Sequence, residues 1–196
     1  MRPPDRRKSR LRVTPVLGNS KKQSTLKFGI IIMRKFVAVI GPQNSGKSTI
    51  IKSLTGCKTT TRKDGIIDES NQKCIFVIPG SPQELKLEQY INIQRFQEIL
   101  DNIIAKANCL GLVMSLQPSK PRTRSSMEEY FQEVHNRHAF EMFAFPLNPI
   151  RGGSTQNVVD IQTRLNQFAP RIEQLDARRF AHINASRIQE ISRILI

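Results

Sequence analysis

Gly41-Pro42-Gln43-Asn44-Ser45-Gly46-Lys47-Ser48-Thr49 follows the spacing G-x-x-x-x-G-K-[ST], which suits a polyphosphate. Gly41 and Gly46 allow backbone conformations that a side chain would block, so successive N–H groups turn inward around a phosphate. The positive end of a following helix strengthens that field. Lys47 is then placed to reach the outer phosphates, and the Ser48 hydroxyl to ligate Mg²⁺. Asn44, Ser45 and Thr49 complete the predicted cradle. A chance glycine turn between a strand and a helix would carry the same letters, so the flanking elements must decide.

They favour the phosphate reading. Phe36-Val37-Ala38-Val39-Ile40 is an unbroken apolar, β-branched run of the kind buried in parallel sheets. Beyond the loop, 49–54 carries Ile50, Ile51 and Leu54 at helical spacing, and Gly56 is a helix stop. Strand, glycine loop and helix in that order form the context a Walker A loop requires.

The remaining elements follow from periodicity and breakers. Segment 58–63 is polar and holds Thr59, Thr60 and Thr61; 65–68 and 73–78 read as strands. The turn between those strands, 69–72, is too short for a crossover helix and predicts an antiparallel hairpin. Pro79-Gly80-Ser81-Pro82 ends the second strand. Ile93, Phe96, Ile99, Leu100, Ile103, Ile104 and Ala107 make an amphipathic stripe that predicts a helix over 88–107. A buried strand is expected at 109–116. Ser126-Met127-Glu128-Glu129 has the form of a capping box opening a helix to about Arg137. A fifth strand is predicted at 139–145. After the joint Arg151-Gly152-Gly153-Ser154, helices are expected from Val158 to Phe168, from Ile172 through Leu175, and over 185–195. No internal repeat is present.

The expected fold is α/β: a three-layer P-loop sandwich whose mostly parallel five-stranded sheet includes one antiparallel strand. It divides into a basic tail, 1–32; a nucleotide-binding domain, 33–150; and helices, 151–196, packing on the same domain.

Composition narrows the setting. The net charge is +15, and residues 1–32 alone hold nine Lys or Arg against Asp5. That tail reads as a nucleic-acid or membrane arm, as an Arg-rich transit peptide, or as sequence ahead of a natural start at Met33; the third is preferred. A basic surface attracts polyphosphate, nucleic acid or anionic lipid alike, and equally describes a solvated face. No aromatic residues interleave with the basic ones to suggest base stacking. Cys57, Cys74 and Cys109 form no C-x-x-C pair and read as buried thiols in a reducing cytosol. No apolar run approaches the ~18 residues of a membrane span, and no signal-peptide core is visible. A cytoplasmic protein is expected.

From Arg34 to Leu147 the order of elements resembles the translation-factor-related small P-loop GTPases, with the glycine loop as the shared motif. The resemblance implies that Thr60 and Thr61 join Ser48 on Mg²⁺, as a switch I threonine does. It also places Pro79 to Glu84 at switch II, where Gln83 would orient the attacking water. Glu84, the first carboxylate past the 73–78 strand, could polarise a water and equally reads as an exposed loop residue. The D-x-x-G that opens switch II in that family has no counterpart, because Val77 or Pro79 falls at the Asp position. The guanine-reading N-K-x-D is absent too: Gln117-Pro118-Ser119-Lys120 follows the fourth strand, and Arg62-Lys63-Asp64 lies on another loop. Binding of ATP or GTP is expected, with the base left open.

Other residues offer weaker chemistry. Arg122 and Arg124 could clamp phosphates as lid arginines do, or belong to a solvated basic loop. His135 and His138, with Glu141 nearby, lack further metal ligands and read as a surface pair. Arg178 and Arg179 read as covering a helix face, with a contact to a phosphate or a partner as the alternative. The sequence therefore describes a triphosphate-binding protein, a GTPase-like switch or accessory ATPase/GTPase. Its hydrolysis is expected to be weak or dependent on a protein activator or effector, with Lys47, Gln83 and Glu84 as the catalytic candidates. The alternatives are a nucleotide or small-metabolite kinase with Arg122 and Arg124 as its lid, and a basic nucleic-acid adaptor with a vestigial nucleotide site.

Overall fold

A computed structural model describes residues 33–57, 73–83, 91–119, 124–149 and 157–195, and the backbone of 65–68. In chain order the elements are β1 (Arg34–Ile40), α1 (Lys47–Thr55), β2 (Gly65–Asp68), β3 (Lys73–Ile78), α2 (Ile93–Ala105), β4 (Cys109–Leu116), α3 (Met127–Asn136), β5 (Phe140–Pro146), α4 (Val158–Leu165), a 3-10 turn (Asn166–Phe168), β6 (Arg171–Ile172) and α5 (Ala181–Ser192).

β1 is central because nothing in its apolar run tolerates water: Phe36 to Ile40 are all 0% exposed. The sheet order is β2-β3-β4-β1-β5-β6. β3, β4, β1, β5 and β6 run parallel, and β2 adds to the outer edge of β3 in the antiparallel sense the short 69–72 connection requires.

The pleat sends alternate residues to opposite faces. Phe36, Ala38 and Ile40 pack with Phe96 and Leu100 of α2, Tyr130 and Phe131 of α3, and Ile161 and Leu165 of α4. Val37 and Val39 pack with Ile50, Ile51 and Leu54 of α1 and Ile188 and Ile191 of α5. Helices thus cover both faces of the sheet, as parallel strands buried on both sides demand. Phe131 is the hinge-pin of its face: its ring meets Phe36 edge-on at 5.1 Å and stacks on Phe168 at 6.2 Å.

The five expected strands form and the α/β class is as read, but the sheet has six strands rather than five. Two C-terminal expectations are corrected. Ile172 does not open a helix: Arg171 and Ile172 pair with Phe143 and Ala144, and Leu175 bridges Leu147. Glu173 N and Leu175 N donate to the carbonyls of Ala144 and Pro146, giving the β5 edge partners that a single helical turn would not supply. The last helix starts at Ala181 rather than 185 and stops at Ser192, with Ile194 still buried beyond it. α2 begins at Ile93, not 88, because Asn92 accepts from Arg95 N at 2.8 Å and so fixes the start. Among the described residues no helix is long and apolar enough to cross a membrane.

Candidate functional site

The turn from β1 into α1 lies at the C-terminal edge of the parallel strands. α1 packs on one face of the sheet, whereas α3, which follows the neighbouring strand β4, packs on the other. Where successive connections leave on opposite faces, a crevice opens beyond the strand ends, and ligands of open α/β sheets bind there.

The loop backbone is built for close approach. Asn44 has φ 61° and Gly46, the residue before α1, has φ 93°, both left-handed. At Gly46 that geometry excludes most side chains. Gly41 has a different constraint: a Cβ there would fall 2.5 Å from Ser45 Oγ. Ser45 is 1% exposed, and its hydroxyl has no hydrogen-bond partner. Lys47 is 3% exposed, and its Nζ donates to the Pro42 carbonyl at 2.7 Å across the loop. Ser45 N closes on the same carbonyl at 3.3 Å.

Ser48 Oγ donates to the Pro79 carbonyl at 2.7 Å, and Ser115 Oγ, fully buried on β4, donates to the same oxygen at 2.8 Å. One backbone carbonyl therefore stitches the start of α1 to the ends of β3 and β4. Because Ser48 spends its hydrogen on Pro79, the lone pairs of its oxygen remain for a cation, so its chemistry fits Mg²⁺ ligation. Among the described residues no carboxylate is bonded to that hydroxyl. Among the described residues no group of three or more His, Cys, Asp or Glu could hold a metal.

Gln83 sits differently from its expected water-orienting role. It is 5% exposed; its Oε1 accepts from Ser81 Oγ at 2.6 Å and from Gln117 N at 3.3 Å, while its Nε2 has no partner. In this conformation its amide faces protein rather than an attacking water. Arg124 donates to the carbonyls of Gln83 at 2.6 Å and Pro82 at 3.4 Å, so the expected lid arginine here ties down the turn after β3. Thr60, Thr61, Glu84 and Arg122 lie outside the described residues.

His135 and His138 stand 5.7 Å apart, and His135 packs by Phe168. Cys57, Cys74 and Cys109 are buried thiols. Burial, then a hydrogen bond with Cys74, pushes the Cys109 thiol up to about 12, which makes it a poor nucleophile at neutral pH. Arg178 and Arg179 do not cover a helix face. They lie in the exposed turn before α5, bordering a cavity of about 300 Å³ whose opposite wall is Gly46 and Thr49.

That juxtaposition escaped the sequence. Nothing local to Asp176–Phe180 points toward the glycine loop; only the packing of α5 beside α1 brings them together. The inward turn of Gln83 was equally hidden, although Ser81 two residues before it was a readable partner. No protein-family model matches the chain, and no curated protein matches it in sequence.

Proposed function

We propose that this chain is a cytosolic P-loop protein that binds a nucleoside triphosphate with Mg²⁺, in the manner of a GTPase-like switch or accessory ATPase/GTPase. The carrying observation is the β1–α1 turn: a left-handed Gly46 opening α1 without a side-chain cap, with Lys47 and Ser48 folded onto carbonyls of the site. The exposed donors of a helix start need partners, and a phosphate supplies them. A bound triphosphate would draw the Lys47 ammonium from a neutral carbonyl to an anionic oxygen, the stronger acceptor.

Ser48 and the phosphate oxygens would hold the Mg²⁺, which neutralises charge on the transferred phosphoryl group. Because, among the described residues, a carbonyl and no carboxylate stands behind Ser48, and Gln83 faces inward, intrinsic hydrolysis is slow or depends on a partner that rearranges the turn after β3. The resemblance to the translation-factor-related GTPases supports this reading without fixing the base.

Thermal unfolding with ATP, GTP, ADP and GDP, with and without Mg²⁺, tests it. At triphosphate about 100-fold above Kd, the folded state should gain about 2.7 kcal/mol. No stabilisation by any nucleotide overturns the proposal. Single-turnover hydrolysis completes the test: brisk turnover without a partner, unchanged in Gln83→Ala, contradicts the account of the missing acid.

A further inference from the structure

We infer that the cavity between the glycine loop and the turn before α5 is the nucleoside subsite, with the base stacked on Phe180. The inference rests on the proposed phosphate site and extends it to the rest of the ligand. The cavity, about 300 Å³, is walled on one side by Gly46 and Thr49 and on the other by Arg178, Arg179 and Phe180. Its volume is at the lower end for small-molecule sites, suited to a planar heterocycle and its sugar.

The Phe180 backbone opens α5, its carbonyl accepting from Ile183 N at 3.0 Å, but its ring is not part of the core. It is 75% exposed, whereas the other described phenylalanines are buried, and among the described residues its ring partner is the exposed His182, parallel to it and 5.8 Å away. An aromatic face held in water beside a cavity is a stacking platform, and base–aromatic stacking is tolerant of base identity.

The turn that presents it is fixed from several sides. Ala177 N donates to the Pro149 carbonyl at 3.2 Å, Arg179 N to the Asp176 carbonyl at 3.1 Å, and buried Asn184 Nδ2 to the same Asp176 carbonyl at 2.9 Å. Arg178 is held against the Asp176 carboxylate by two hydrogen bonds, of 3.0 and 2.9 Å. Arg179 makes no side-chain hydrogen bond among the described residues and stays available to the ligand's sugar or α-phosphate. Among the described residues no carboxylate lines the cavity to accept from the N1 and N2 hydrogens of guanine. ATP and GTP should therefore bind within about tenfold of each other, by stacking rather than edge reading.

Calorimetry on the full chain with ATP, GTP and tripolyphosphate, the last having phosphates but no base, separates the two subsites. Phe180→Ala should weaken ATP and GTP about tenfold, leave tripolyphosphate unchanged and keep the melting temperature. Phe180→Tyr should retain nucleotide affinity. The subsite is overturned if Phe180→Ala leaves ATP and GTP unchanged, or if it weakens tripolyphosphate equally. A Lys47→Ala variant that binds tripolyphosphate as well as wild type overturns the phosphate reading alone, while selective loss of nucleotide in Phe180→Ala would still uphold the base subsite. If wild type binds none of the three, both fall.

Discussion

The two helical layers begin their helices in opposite ways. On the face covered by α2, α3 and α4, each of these three α-helices has a side-chain cap. Asn92 accepts from Arg95 N, Asn157 from Asp160 N, and Ser126 and Glu129 form a reciprocal capping box. On the face covered by α1 and α5, neither helix has one: Gly46 and Phe180 occupy the cap positions without a side-chain bond. Both uncapped starts border the same cavity. At the starts of α1 and α5 no side chain takes the first backbone donors, and it is on this side that we propose the ligand binds.

Variants on the capped face should change stability without touching nucleotide affinity. The largest effect is expected for Phe131→Ala, which removes a fully buried ring and both of its aromatic contacts. It should cost about 3–5 kcal/mol in denaturant unfolding. An altered nucleotide affinity in the surviving folded fraction would blur the division between the layers.

A smaller loss, about 1 kcal/mol, is expected for Ser126→Ala, since Ser126 Oγ accepts from Glu129 N and the Glu129 carboxylate accepts from Ser126 N. Urea midpoints with and without ATP check it. Both should shift by the same amount, and a shift seen only with ligand would mean that α3 communicates with the site.

The smallest effect should come from pH. Burial, the largest single influence, raises the Glu128 pKa. The hydrogen bond from Arg164, the bond from Glu128's own backbone N–H, the Arg164 charge and the Ser126 hydroxyl together outweigh it and hold the carboxyl below its usual range. A carboxylate depressed in the folded state adds stability above its unfolded pKa and loses it as pH falls through the folded value. The half-exposed pair should contribute at most about 1 kcal/mol, fading below about pH 4. Glu128→Gln should flatten that part of the stability profile; an unchanged profile would show that the pair adds nothing to the capped layer.

The legible parts of the chain were those whose signals are local. The apolar run Phe36–Ile40, the glycine spacing, the S-x-x-E box and the Gly56 stop each act within a few residues, and each appears where read. β6 was not legible because two residues gain strand character only from the β5 edge beside them. The start of α5 was hidden for the reason that interests us: Phe180 has no capping chemistry to advertise. The Ser48–Pro79–Ser115 junction was equally silent, because its shared acceptor is a backbone carbonyl that every residue possesses.

The central claim is that the uncapped start of α1 holds a triphosphate through Lys47. Calorimetry of Lys47→Ala against wild type, with ATP and GTP in Mg²⁺, tests it most directly. Lys47 donates to a loop carbonyl rather than supporting the core, so the variant should keep its far-UV spectrum and cooperative unfolding. Its triphosphate affinity should fall about 100-fold or more, equivalent to about 2.7 kcal/mol. Equal affinity in the two proteins would contradict the account.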